Sequence, residues 1–178
     1  MGTSDGGHRT GNVGRWQAGG AQPSIAHSWQ VGIADASRRS PVTLYLDSSA
    51  LLKLYVKETG SEDVATLVQD ANVVATSALA YAEVRATLGR LRREHSLTPT
   101  TLARAKQQFE SDWGTMLVLN CDHAIAIRAG GLAEQHALRG ADAVHLAAFE
   151  RLLTMVEDDD VHFSCADQRL NKAARQLG

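Results

Sequence analysis

Four acidic residues in this 178-residue chain stand where an apolar, β-prone run gives way to a helical segment, or on the first turns of that helix. They are Asp47 in TLYLDSSALLK, Glu83 in VVATSALAYAEVR, Asp142 in RGADAVHLAAFERLL and Asp167 in VHFSCADQRL. Carboxylates set repeatedly at the ends of buried strands converge on one edge of a sheet. There they raise one another's pKa unless a cation joins them. Oxygen-only ligands suit Mg²⁺ or Mn²⁺. Such an ion lowers the pKa of a coordinated water and polarises a phosphodiester oxygen, so the chemistry expected is metal-dependent phosphodiester hydrolysis. Water attack most simply leaves a 5′-phosphate and a 3′-hydroxyl. Asp47 and Asp142 are assigned to the better-held ion. Glu83 and Asp167 bind through water or orient the nucleophile.

Taken singly, each acid has an ordinary explanation. Asp47 and Asp167 could cap the helices that follow them. Asp142 could favour its helix N-terminus through the macrodipole, and Glu83 could lie on a helix surface near a positive end. Jointly these explanations weaken. Glu83 and Asp142 sit in apolar, alanine-rich surroundings (ALAYAEV, GADAVHLAA), and buried acids are rare unless paired or metal-bound. His145, three residues after Asp142, is its helical neighbour and could reach a phosphate or simply pack and bond locally. His123, His136 and His162 have no ligand spacing.

The elements that must position these residues alternate. Val42–Leu46, Val73–Thr76, Met116–Leu119 and Val161–Ser164 read as short apolar strands. Helices are expected over ALLKLYVKE up to Gly60, and over Ser61–Asp70 with Val64, Leu67 and Val68 inward. Another runs from Ala78 to about His95, capped by Ser77, with Tyr81, Val84, Leu88 and Leu91 in its stripe. Thr98-Pro99 opens a helix to about Trp113. Asn120 or Asp122 caps one to about Ala137, Ala141–Met155 is helical with Val144, Phe149 and Leu152 available for packing, and Asp167 starts the last. The run Glu157–Asp160 reads as an acidic surface loop. Apolar strands alternating with helices predict an α/β domain whose short, mainly parallel sheet is covered on both faces. Ligands of such sheets bind beyond the strands' carboxyl ends.

Residues 1–41 differ from the rest. They hold eight of the fifteen glycines and almost no apolar periodicity, which predicts a disordered extension or a non-native tail ahead of a domain at 42–178. No secretory pattern and no run of about 20 apolar residues is seen, so a cytoplasmic protein without a membrane span is expected. Cys121 and Cys165 form neither a disulfide framework nor a zinc pair and read as buried small hydrophobes. From residue 42 on, acidic side chains outnumber basic ones for a net charge of −4, unlike the usual nucleic-acid footprint. Two divalent cations would cancel it. Arg85, Arg90, Arg92 and Arg93 lie on one helix with His95, either offsetting its macrodipole or facing a nucleic acid.

These segments, in this order and spacing, resemble the PIN-domain ribonucleases, and most closely the VapC-type toxins of toxin–antitoxin pairs. The resemblance runs from about Val42 to Leu177. It rests on YLDSSALLKLYVKE, TSALAYAEVRATL, ADAVHLAA and SCADQRLNKAA. It implies an RNA substrate, an acidic quartet of Asp47, Glu83, Asp142 and Asp167, and a small antitoxin that sends an arginine into the acidic pocket. It also implies dimerisation or antitoxin binding through the hairpin of Ala78–His95 and Thr98–Trp113, the alternative being that these helices only complete the core. The chain departs from the family pattern at Cys165, where many relatives carry Ser or Thr; Ser164 stands beside it.

Two other classes share part of this pattern. A haloacid-dehalogenase-like phosphatase also carries a strand-end aspartate, but it needs D-x-D where this chain has Asp47-Ser48-Ser49. A receiver-like interaction domain would use its acids only as caps.

Overall fold

The computed structural model describes residues 41–156 and 160–177. Four strands, β1 (Val42–Leu46), β2 (Val73–Ser77), β3 (Leu117–Leu119) and β4 (Asp160–Ser164), form one sheet in the order β3-β2-β1-β4. Every pairing is parallel. Seven helices accompany them among the described residues: α1 (Ser48–Leu52), α2 (Ser61–Asp70), α3 (Leu79–Arg93), α4 (Pro99–Trp113), α5 (His123–His136), α6 (Gly140–Met155) and α7 (Gln168–Ala174). The α/β class and the parallel sheet expected from the sequence are found.

Side-chain alternation along β1 divides the core. Leu44 and Leu46 face a cluster with Leu51, Val84, Leu88, Leu91 and Phe109, contributed by α1, α3 and α4. Tyr45 faces the other way, among Leu132, Leu146, Phe149 and Leu170 from α5, α6 and α7. The central strands β1 and β2 are buried on both faces, which explains why they read as nearly continuous apolar runs. The α3–α4 hairpin buries Val84, Leu88, Leu91 and Phe109, so it completes one half of the core. On the opposite side, Arg128 makes two bonds to Glu150 (2.5 and 2.6 Å) and Arg151 one to Asp122 (2.7 Å), tying α5 to α6.

Several local expectations shift. ALLKLYVKE is not one helix: α1 ends at Leu52, and Lys53, Leu54 and Tyr55 continue in turns bonded to carbonyls three residues back. Leu51, Leu52, Leu54, Tyr55 and Val56 are all buried, which one helix face could not achieve. Gly60 then reverses the chain at φ 81°, a region glycine enters at no steric cost. Helix α3 begins at Leu79, with Ser77 Oγ accepting from the Leu79 N–H at 3.2 Å. Asp122, not Asn120, caps α5. Leu67 is 40% exposed rather than packed. Cys121 is exposed, because it lies in the connection after β3, and Cys165 is half-buried. Asp160 joins β4 by pairing with Val42; the rest of the expected acidic loop, and residues 1–40 of the expected tail, lie outside the described residues.

Register decides what meets at the carboxyl edge. Leu46 pairs with Ser164, so Asp47 and the segment leading to Asp167 leave the sheet side by side. The buried Thr76 hydroxyl donates to the Leu46 carbonyl at 2.7 Å and fastens the end of β1 to β2 just before Asp47. Thr76→Val keeps the shape and removes this donor. It is expected to lower unfolding free energy by about 1–3 kcal/mol, read from denaturant titration.

Candidate active site

Asp47 ends β1 and caps α1. It is 6% exposed. Its Oδ1 accepts from the Ala50 N–H (2.8 Å) and the Ser49 hydroxyl (2.7 Å). Burial pushes its carboxyl above the ordinary value. The Ala50 and Ser49 bonds and the charge of His145 pull the other way, while Asp142 adds to the rise. Ser49 also accepts the Ala166 N–H (2.9 Å), and the Asp47 N–H donates to the Ser164 carbonyl (3.1 Å). The β1 and β4 ends are thereby stitched together. Ser164 takes part through its backbone.

Glu83, on the second turn of α3, faces a small polar network rather than open water. Its Oε2 accepts from the Ser48 hydroxyl and lies 3.0 Å from His145 Nε2, which is also 3.0 Å from Ser48 Oγ. His145 is 2% exposed, and its Nδ1 lies 3.0 Å from the Tyr45 hydroxyl. Burial and the nearby charge of Asp47 hold the Tyr45 phenol well above its usual pKa, so it keeps its proton. The ring is thus held between the Tyr45 hydroxyl at Nδ1 and the Glu83 carboxylate at Nε2. Burial alone would raise Glu83, but the bonds from His145 and Ser48 outweigh it and hold the carboxyl below its ordinary value. His145 therefore braces Glu83 through local hydrogen bonding. Tyr45 and Ser48 were not singled out from the sequence for this part. In the sequence Tyr45 reads as one more strand residue.

Asp142 sits in the first turn of α6, half-buried. Burial raises its pKa, the charges of Asp167 and Glu83 raise it further, and Arg139 and His145 oppose them. Asp167 caps α7, its Oδ1 accepting from the Arg169 (2.7 Å) and Leu170 (3.0 Å) N–H groups, and it is exposed. Capping and clustering thus coexist: Asp47 and Asp167 are caps, and their charges still reach the other acids. At Cys165 the thiol donates to the Asp167 carbonyl (3.1 Å). Burial, then the Asp47 charge, pushes the thiol up to about 12, so it stays protonated.

The four predicted acids converge on one edge, close enough for their charges to act on one another. The donor set is oxygen-rich, and burial and neighbouring negative charge raise the pKa of Asp47 and Asp142, which a cation between them would relieve. Among the described residues no three His, Cys, Asp or Glu side chains close around one point as a finished metal shell. Mg²⁺ does not need one, since it keeps several waters and takes one or two carboxylates. Asp47 and Asp142 suit that role.

The sequence profile of the PIN domain matches residues 44–174. Ribonuclease VapC45 of Mycobacterium tuberculosis (strain CDC 1551) and ribonuclease VapC49 of strain H37Rv are each 38% identical to this chain over 135 residues, 76% of this chain and 91% of the relative. Ribonuclease VapC46 of strain H37Rv is 34% identical over 137 residues, 76% of this chain and 92% of the relative. The chain belongs to the PIN-domain family, and within it to the VapC-type ribonucleases. Neither rival is favoured beside this match.

The raised Asp142 carboxyl has a consequence for stability. A group that binds its proton more tightly when folded favours the fold below the unfolded carboxylate value, about 3.9, and loses that contribution as pH rises through its raised folded value. In metal-free protein, Asp142→Asn is expected to raise the thermal midpoint at neutral pH by a few degrees. The gain should fade on acidification toward about pH 4. Melts in EDTA across this range check it.

Proposed function

We propose that this protein is a Mg²⁺- or Mn²⁺-dependent endoribonuclease toxin, kept harmless by a small cognate antitoxin. The observation that carries the reading is the meeting of Asp47, Glu83, Asp142 and Asp167 at the carboxyl edge of a parallel sheet, with Asp47 and Asp142 raised in pKa. Asp47 and Asp142 would hold the ion. When bound, it supplies positive charge and activates water for attack on phosphorus.

The chain's own residues do the rest. Glu83, kept ionised by Ser48 and His145, accepts a hydrogen bond from the attacking water and orients it. Asp167, the most exposed of the four, sits where substrate enters and takes part through water. Products with a 5′-phosphate and a 3′-hydroxyl follow from water attack. RNA is the substrate class, as the names of the relatives say of them.

Partners follow from the same charge. An arginine fork from an antitoxin would satisfy these carboxylates much as a metal does. The protein acts in the cytoplasm, and a homodimer formed through the α3–α4 hairpin is part of the reading. No helix among the described residues is long and apolar enough to cross a membrane.

Asp47→Asn tests the site. RNA cleavage with Mg²⁺ or Mn²⁺ should fall by about a thousandfold or more while circular dichroism stays native and unfolding stays cooperative. Near-normal cleavage by a folded Asp47→Asn protein would sink the assignment. Added Mg²⁺ or Mn²⁺ should also raise the thermal midpoint of the unmutated chain and leave that of Asp47→Asn almost unmoved.

A further inference from the structure

A net acidic chain that binds a polyanion must concentrate its positive charge locally. Ion pairs engage several of its cations: Lys57 with Glu62, Arg85 with Glu110, Arg90 with Glu94, Arg128 with Glu150 and Arg151 with Asp122. Arg169 and Lys172 have no acidic partner within 4.0 Å among the described residues, and both lie on α7. They line a hollow of about 520 Å³, between the end of α5 and α7, together with Gln135, His136 and Gln176. No carboxylate among the described residues lines it. His136 lines it as well; its Nε2 is shut off from solvent and has no hydrogen-bond partner among the described residues.

The elements that line the hollow lead directly to two of the carboxylates. Helix α7 starts at Asp167, Arg169 is its second residue, and Lys172 follows about one turn later. The end of α5 leads through Leu138 and Arg139 into α6, whose first turn carries Asp142. The basic helix end singled out in the sequence is placed less well. Arg93 lies ten residues beyond Glu83 on α3, about 15 Å along the axis, and Arg85 and Arg90 are already paired.

We propose that this hollow is a subsite for the backbone of single-stranded RNA flanking the scissile phosphodiester. Arg169 and Lys172 contact phosphate, and Gln135, His136 and Gln176 supply further polar contacts. The volume lies in the range that holds one small ligand, which fits about one nucleotide. The inference rests on the ribonuclease reading and adds a polarity to it. RNA would run from α7 past Asp167 into the acidic cluster, positive hollow and negative site lying end to end.

The test is the double variant R169A/K172A in the full chain. Binding of a labelled single-stranded RNA oligonucleotide is followed by fluorescence anisotropy in EDTA over a range of salt, and cleavage is followed separately with Mg²⁺ or Mn²⁺. Affinity should fall about tenfold or more. The slope of log affinity against log salt should shrink by about 1.4, as loss of two single-strand phosphate contacts requires. The cleavage defect should fall on KM rather than kcat, and R169K/K172R should restore most of the binding. A folded double variant with wild-type RNA affinity and salt slope overturns the subsite. So does a variant that keeps RNA affinity but loses binding to a polyglutamate peptide, which would assign the hollow to an acidic protein segment. If the wild type cleaves RNA in either case, the nuclease reading survives the loss of the subsite. If the wild type binds RNA through Arg169 and Lys172 and cleaves none with either metal, the subsite stands and the nuclease reading falls.

Discussion

A carboxylate taken almost wholly out of water is the condition around which this protein is arranged. Asp47 is 6% exposed at the end of a central strand, where burial disfavours its charge. Two donors, the Ala50 N–H and the Ser49 hydroxyl, relieve part of that cost, and His145 contributes a little more. Asp142 adds to it. An edge that holds unlike charges in balance could be filled by hydrophobic residues with no loss to the fold. An edge that holds acids in excess favours the arrival of something positive, and that is the ground on which it is proposed as a binding site.

The neighbouring acids are treated differently by their surroundings. Glu83 and Asp142 are both near other carboxylates, yet one is held below its ordinary pKa and the other above. The difference is hydrogen bonding. Glu83 receives Ser48 and His145, and His145 is in turn fixed by Tyr45, itself stacked on Phe163 at a centroid distance of 5.4 Å. Rigid aromatic packing in one half of the core is thus transmitted to the orientation of a single carboxylate. Environments that push like groups apart in pKa are how one site assigns them unlike roles.

Much of this could be read before any coordinates. The strand-end positions of Asp47 and Asp167 and the α/β alternation are local signals, carried by β-branched runs and capping residues over a handful of positions. Thr98-Pro99 opened a helix where the capping pattern said it would. What escaped were relations between distant segments. The contact of Tyr45 with His145 spans 100 residues and that of Ser48 with Glu83 spans 35, and no periodicity encodes either. Placement of β4 beside β1 likewise depends on the whole sheet. The early end of α1 was hidden because continuous apolarity cannot tell a buried turn from a buried helix. Cys121 misled for a related reason: a small apolar residue next to a strand is no guide to which side of the connection it takes.

The two thiols now have separate chemical fates. Cys165 holds its proton to about pH 12 and donates it to a carbonyl, so it presents almost no thiolate to an alkylating agent or a peroxide at neutral pH. Cys121 is exposed, in the connection just after β3 and 3.0 Å from Ser77 Oγ. A maleimide dye offered to the native protein therefore has one accessible attachment point among the described residues. That point lies on the same rim of the sheet as the acids, where a fluorophore could report the arrival of a partner without any engineered cysteine.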